Sequence, residues 1–420
     1  MLKPTKPQFA FCLFPVLASS LLLLFSMRPV QAQPTYTITD LGTLEGGSHV
    51  EPFDVNSKGE VVGLAIISDG NRRAFLWLPA ADYGLSTGMH DLGTLTVGDD
   101  SYATGINDAG QVVGRSGDAF GRFGSTITRA FIWDSVHGMQ DLGSLPGNAS
   151  ASAFGINNPG QAVGHSQNYS GDPNTRAVIW SAGAITDIGT LDGNSYSIAD
   201  HLNSCGQVIG SSAPEVPVLH YHAFIWTPSS PNANTGSMQD LGTLGGTYVD
   251  AFAINDFGKV VGDSFLSGTV GPVGSRHAYL WIPTTPNGTT GTMQDLGVLG
   301  GNVSYAFGIN NQAEIVGGSQ IANGDTTEHA FIYNHGAMID LNTLIASGSG
   351  WALERGIRIN NSGQITGFGN IDGQRHGFLL TPGLTPTDKD QCKNDRWREF
   401  TNPRFKNQGQ CVSFVVSHSH

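Results

Sequence analysis

The chain has 420 residues, 57 of them glycine and 20 proline; only 13% are charged, with a formal net charge of −13. Glycine costs about 1 kcal/mol per helical position relative to alanine, so this composition excludes a helical bundle, and the negative charge argues against nucleic acid or anionic lipid as partners. One large all-β body, built from short apolar strands closed by turn residues, fits best.

Residues 1–32 stand apart. Lys3 and Lys6 precede an apolar run from Phe9 to Phe25, and Ala32 ends the small-residue sequence VQA before Gln33. The pattern is that of a cleaved secretory signal. The run also approaches the length of a spanning helix, which leaves an uncleaved anchor as the alternative. No cysteine follows SLLLLFS to accept a lipid. Cleavage would remove Lys3, Lys6 and Arg28 but no acid, taking the charge from −13 to −16 and leaving no membrane span. Cys205, Cys392 and Cys411 would then sit in an oxidising compartment, an odd number with one thiol left over.

From residue 33 to 383 the chain repeats. The aspartate of DLG, DIG or DLN recurs as Asp40, Asp91, Asp141, Asp187, Asp240, Asp295 and Asp340. Each unit carries four strand-length stretches, typified by AFAIN, KVVGDS, HAYLW and MQDLG. Between the first two lies NDFG or its equivalent, opened by Asn56, Asn107, Asn157, Asn203, Asn255, Asn310 or Asn360. An asparagine that bonds its own backbone, followed by a glycine at positive φ, predicts a tight antiparallel hairpin. The interval from Asp to Asn is 16, 16, 16, 16, 15, 15 and 20 residues, a fixed link, whereas the other connections vary as surface loops do.

Four antiparallel strands in roughly fifty residues is the size of one propeller blade. The spacing therefore predicts a seven-bladed β-propeller with AFGIN-type strands innermost, where small residues fit, and MQDLG-type strands outermost. The first strand, YTITDLG, has no blade of its own, and the last unit stops at HGFLLTP without its DLG strand. The amino-terminal strand is thus expected to complete the last blade and close the ring. Phe75, Phe131, Phe224, Tyr279, Phe331 and Phe378, with Val178 in the third copy, are expected to pack between blades at roughly 2–3 kcal/mol for each ring.

The repeated DLGTLGG, AxxINxxGxVVG and HAFLW strings, spanning about residues 36–382, resemble the bacterial extracellular repeat family named for its His-Ala-Phe triplet. The literal triplet occurs at His222–Phe224 and His329–Phe331. The resemblance implies secretion and a repeat scaffold and brings no catalytic residues. Past a linker at 384–391, residues 392–420 resemble a short Cys-paired tail of bacterial secreted proteins. A bridge between Cys392 and Cys411 would add about 3 kcal/mol to a piece too small for its own core. The tail is locally basic, with Lys393, Arg396, Arg398, Arg404 and Lys406 against Asp395 and Glu399. That sign suits docking onto the acidic propeller.

Residues that recur in every unit are read as solutions to a problem every blade has. The seven aspartates serve as acceptors for turn N–H groups, not as a metal ring. The triplet histidines are packed or hydrogen-bonded, because Arg73, Arg129 and Arg176 take the same site and arginine does not ligate metal. SDGN, NGDT and IDGQ lack the acidic set of a calcium loop. No GxSxG, HExxH or Walker string is present, so neither a cofactor nor a metal is expected. Cys205, in the turn NSCG, is expected to be a turn residue with an exposed thiol.

Specialisation is expected where the repeats differ. The loops after VVG and the TLGG links share one end of the blades and carry Tyr102, Phe120, Arg122, Phe123, Tyr169, Tyr196, His220, Tyr221, Tyr248 and Tyr305. Aromatic faces beside Asn and Asp suit stacking on sugars or peptides. The resulting expectation is a secreted, noncatalytic propeller that binds an extracellular glycan or protein. The alternatives are a glycan-active enzyme on the same scaffold and a structural cell-surface protein.

Overall fold

The computed structural model describes residues 36–44, 46–96, 100–117, 127–169, 172–214, 221–268, 275–324, 326–383, 389–393 and 405–418. The signal-like residues 1–32, linker residues 384–388 and tail residues 394–404 lie outside these.

Twenty-eight strands form seven four-stranded antiparallel sheets, each ordered from an innermost to an outermost strand. Blade 1 runs from His49–Val55 outward to Gly88–Asp91, and blade 2 from Ser101–Ile106 to Gly138–Asp141. Blades 3 and 4 begin with Ser150–Ile156 and Tyr196–Leu202, blades 5 and 6 with Gly245–Ile254 and Ser304–Ile309. Blade 7 takes Trp351–Ile359, Ile365–Ile371 and Gln374–Pro382 from the end of the ring and its fourth strand, Tyr36–Asp40, from the beginning. That clasp pairs Tyr36 with Pro382 and Asp40 with Phe378. The chain is a seven-bladed β-propeller, as the repeat spacing predicts.

Packing explains the VVG and HAF strings together. In six blades the glycine of the second strand faces the aromatic of the third, as Gly114 faces Phe131, and in blade 3 Gly164 faces Val178. A Cβ on Gly114 would lie 1.9 Å from the Tyr102 carbonyl oxygen and 2.8 Å from the Phe131 ring, so only glycine fits beneath it. The rings are fully buried, and each inserts toward the preceding blade: Phe131 packs against Val62, Leu76 and Leu78 of blade 1, Phe224 against Val163 and Ile179 of blade 3. Val178 fills the same space against Val113 of blade 2.

The recurring aspartate has two jobs. One oxygen accepts the N–H two residues on, at 2.7–2.9 Å, as from Gly93 to Asp91 and from Asn342 to Asp340. The other meets the first residue of the triplet across the outer strand pair. His222, His277, His329 and His376 lie 2.6–2.9 Å from Asp240, Asp295, Asp340 and Asp40, and Arg73, Arg129 and Arg176 lie 3.7–4.0 Å from theirs. A charged or hydrogen-bonding partner of either kind ties the outermost strand to its blade.

The hairpin asparagines do more than make turns. Asn107 Oδ1 accepts the N–H groups of Ala109 and Gln111, at 3.1 and 3.0 Å, which shapes its own turn. Its Nδ2 donates to the carbonyl of Asn157 in the next blade at 3.2 Å. The same donation runs from Asn56 to Asn107, Asn157 to Asn203, Asn203 to Asn255, Asn255 to Asn310, Asn310 to Asn360, and from Asn360 back to Asn56, all between 2.9 and 3.3 Å. Seven buried side chains thus form a closed circuit of hydrogen bonds around the axis. Blade 6 replaces the hairpin glycine with Ala313 at φ 63°, a strained setting for a residue with a Cβ.

The tail contains a 3-10 turn, Lys389–Cys392, and a helix, Gln408–His418, joined by the Cys392–Cys411 disulfide with Cα atoms 5.7 Å apart. Both cysteines and Val415 are buried together. Cys205 departs from expectation in two ways: it is disulfide-bonded, not a free thiol, and it is only 7% exposed, its turn being covered by Asn287 from the following blade. Among the described residues no helix is long and apolar enough to cross a membrane.

Candidate functional site at the mouth of the axial channel

Every innermost strand carries a β-bulge before its hairpin, for example between Ala103 and Gly105 or between Ala199 and His201. Bulges re-aim side chains, and here the residue after the bulge stands where neighbouring blades crowd the axis. Gly105, Gly155 and Gly308 allow backbones to meet; a Cβ on Gly105 would lie 3.1 Å from the Gly155 Cα. Blade 5 has the small Ala253 there, and the other three blades break the pattern with Asp54, His201 and Arg358. Arg358 donates to the carbonyl of Phe307, to that of Phe252 at 3.3 Å, and stands 3.9 Å from Asp54. One guanidinium therefore ties blade 7 to blades 5, 6 and 1 and obstructs the axis.

These groups keep slight contact with the channel yet lie deep in the protein, so desolvation dominates their ionisation. Burial raises the Asp54 carboxyl to about 6, against the pull of Arg358 and of the N–H groups of Ile106 and Val55. Asp200 is pushed well above the usual carboxylate range by burial and by Asp250. His201 is lowered to about 3 by burial and by Arg358.

Above this plug, at the loop-bearing end, aromatic rings and arginines form a belt. Tyr196 meets Tyr221 edge-on with centroids 6.1 Å apart, and Tyr221 meets Tyr248 at 5.6 Å. The Arg276 guanidinium lies 5.0 Å from the Tyr248 ring and 5.1 Å from that of Tyr305. Tyr305 stacks on Phe307 at 5.8 Å, and Arg355 covers both rings at 5.5 and 5.6 Å. Arg375, 4.6 Å over Phe368, pairs with Glu354 at 2.9 Å and reaches Glu51 of blade 1 at 3.7 Å. Such cation–π contacts hold the rings in place while leaving polar edges toward solvent.

Acids pin this belt. Arg276 bonds both Asp263 and Asp250, and Asp250 also accepts from the Tyr248 hydroxyl at 2.6 Å and from Ser211 at 3.2 Å. Burial raises Asp263 to about 7 and also raises Asp250, in each case against the lowering effect of Arg276. Glu51 is held low by its hydrogen bond from His49, with Arg375 and Arg355 assisting.

Where blades 1, 2 and 3 meet lies a cavity of about 370 Å³, walled by His49, Glu51, Phe53, Ile66 and Arg72 of blade 1, by Tyr102, Thr104 and Arg115 of blade 2, and by Phe154 of blade 3. Arg115 lies 4.4 Å over the Tyr102 ring, and behind it His165 packs 5.3 Å from Phe154. His165 is buried and lowered to about 4, first by desolvation and then by Arg115.

Of the ten candidate residues, the structure brings Tyr196, Tyr221, Tyr248 and Tyr305 into the belt and Tyr102 into the cavity wall. Tyr102, Tyr196, Tyr248 and Tyr305 are displayed not from loops but from the starts of innermost strands, and Tyr102 is only 4% exposed, with Arg115 over its ring. Tyr169 is 54% exposed and joins no ring contact among the described residues. Phe120, Arg122, Phe123 and His220 lie outside the described residues. Sequence reading missed Arg72, Arg276 and Arg375, which each stand just before the triplet, and Arg115, which follows VVG. Both positions change in almost every blade, and that variation was the available signal. No group of His, Cys, Asp or Glu among the described residues is arranged to hold a metal ion.

No family model matches the sequence, and no curated protein does. Solved structures with a similar fold include a puromycin-hydrolyzing peptidase of Mycobacterium tuberculosis, at 12% identity and TM-score 0.49, covering 83% of this chain and 55% of that one. TolB of Acinetobacter baumannii aligns at 13% identity and TM-score 0.37 over 61% and 54% of the two chains. A puromycin hydrolase mutant complexed with PGG aligns at 12% and 0.45 over 76% and 50%. The chain spans about half the length of each.

Proposed function

We propose that this chain is a secreted member of the His-Ala-Phe repeat family and a noncatalytic propeller that binds an extracellular glycan at the mouth of its channel. The observation that carries this reading is the belt of Tyr196, Tyr221, Tyr248 and Tyr305 held by arginines at one end of the ring. Pre-ordered rings with polar edges suit the flat apolar face and hydroxyl rim of a sugar and lose little entropy on binding. The opposite end is occupied by the asparagine circuit and its turns, which are common to all blades and leave little to specialise.

A glycan array with the purified chain, followed by calorimetry, tests the reading. Tyr221→Ala and Tyr248→Ala should each weaken binding roughly five-fold, since such a ring contact is worth about 1 kcal/mol. A variant at the other end, such as Lys58→Ala, should bind normally. A glycan that binds equally well to all three variants would refute it. The acids Asp200, Asp250 and Asp263 favour a second reading, a glycan-active enzyme, because burial raises each carboxyl, and a raised carboxyl is what a general acid requires. Release of shortened products from a bound glycan, abolished by Asp200→Asn, would support that alternative.

A further inference from the structure

Four of the five arginines around the mouth are ion-paired: Arg72 with Asp100, Arg276 with Asp263, Arg355 with Glu328 and Arg375 with Glu354. Arg115 alone has no acid within ion-pair reach among the described residues, and its Nε is buried without an acceptor. It lines the 370 Å³ cavity, on whose other wall stands a second cation, Arg72. A buried guanidinium edge without a partner costs free energy that a bound anion would recover, and a planar carboxylate matches its fork. The chain as a whole carries −13, so an anion is held only where cations are gathered locally, as Arg115 and Arg72 are here.

We propose that this cavity is a carboxylate-binding subsite, with Arg115 anchoring the acid group of a uronic-acid residue in an extracellular polysaccharide. The proposal rests on the glycan reading above and specifies its chemistry. A cavity of this volume is at the small end of the range for ligand sites, about 300–1,000 Å³, which suits one or two sugar rings better than a polypeptide segment. Phe53 and Phe154 offer apolar walls, Thr104 and the His49–Glu51 pair offer hydrogen bonds to ring hydroxyls, and the tyrosine belt extends beyond for further sugars.

Calorimetry of the full chain with trigalacturonate, its methyl ester, a neutral galactose trisaccharide, and a tripeptide with free or amidated carboxyl terminus separates the outcomes. Trigalacturonate should bind, weakening as salt rises, and esterification should cost at least about ten-fold. Arg115→Gln should cost at least as much, with partial rescue in Arg115→Lys. Ile66→Trp, which puts bulk into the cavity from another lining residue and leaves Arg115 in place, should also abolish binding in a chain whose circular dichroism is unchanged. Neutral and acidic trisaccharides binding alike and indifferently to Arg115→Gln, yet lost in Tyr248→Ala, would overturn this inference and leave the glycan reading standing. Binding of the free-carboxyl peptide alone would overturn the sugar assignment, and binding of none of the saccharides would overturn both.

Discussion

The closed circuit of asparagines makes a quantitative demand on stability. Asn107→Ala removes the donation to the Asn157 carbonyl, the bond to Gln111 Oε1 at 2.8 Å, and the acceptor for the N–H groups of Ala109 and Gln111. Asn107 is 2% exposed; on its removal the Gln111 N–H loses a partner that water cannot readily replace, the N–H of exposed Ala109 can turn to water, and the Asn157 carbonyl keeps only the N–H of Gly160. At ~1–3 kcal/mol for an unsatisfied buried group and ~1 kcal/mol for the lost bond between blades, the loss should be about 2–3 kcal/mol. With an unfolding entropy of ~2.1 cal/mol/K per residue over the ring, this lowers the melting temperature by roughly 3–4 °C. Asn107→Asp separates the two roles. It keeps the acceptor for the turn but sets a carboxylate against the Asn157 carbonyl, and protonation would restore a donor. Its deficit should therefore exceed that of Asn107→Ala at pH 7 and shrink at pH 4. Urea unfolding at the two pH values, followed by tryptophan fluorescence, measures this directly. A loss under about 1 kcal/mol in Asn107→Ala, or a pH-independent deficit in Asn107→Asp, would show that the circuit is geometry without consequence.

Two further outcomes follow from buried titratable groups and from the tail. His165 is held neutral at about 4, whereas an unfolded chain takes up that proton near 6.5; its contribution is therefore complete above pH 6.5 and lost as pH falls toward 4, at most about 3 kcal/mol. Asp54 and Asp263, raised to about 6 and about 7, act oppositely: their contribution is present below about 3.8 and lost as pH rises through those values. The limbs oppose each other in wild type, so the test is differential. His165→Gln should gain about 2–3 kcal/mol relative to wild type between pH 8 and pH 4.5 in denaturant titrations, and a constant difference would contradict it. Reduction of Cys392–Cys411 should melt the Gln408–His418 helix, seen by exchange of its amides, without shifting the melting of the ring.

What could be read from sequence was what repeats. Seven aspartates at a nearly constant distance from seven asparagines reveal the blade count, and two incomplete ends reveal the clasp. Contacts between repeats were hidden. Asn107 could be read as a turn residue from its neighbours, but its donation goes to the next blade, and the circuit spans sequence separations of 46 to 55 between successive blades. Only the curvature of the ring selects that partner. The mouth was partly visible through its tyrosines, which stand out in any loop. Its arginines were not, because Arg72, Arg276 and Arg375 precede a motif whose first residue is itself Arg or His in every blade, and they look like overflow from it. Tyr102 was assigned to a loop because the innermost strand begins earlier than the small-residue run suggests. Cys205 was expected to be accessible because a turn seen alone is exposed, and the covering Asn287 arrives from 82 residues away.

The clasp also sets the order in which the molecule can be built. The bond between Thr37 and Thr381 joins positions 344 apart, and closing such a span costs about 1.7 kcal/mol more chain entropy than closing a single unit of ~50 residues. Individual blades can form while synthesis is still under way, each having nearly all of its partners close by. The first strand of the ring cannot: it must wait, an unpaired edge, until the last hairpin has been made. Assembly is therefore completed by a single late event, and until then any other β-edge in reach is a competitor for that strand.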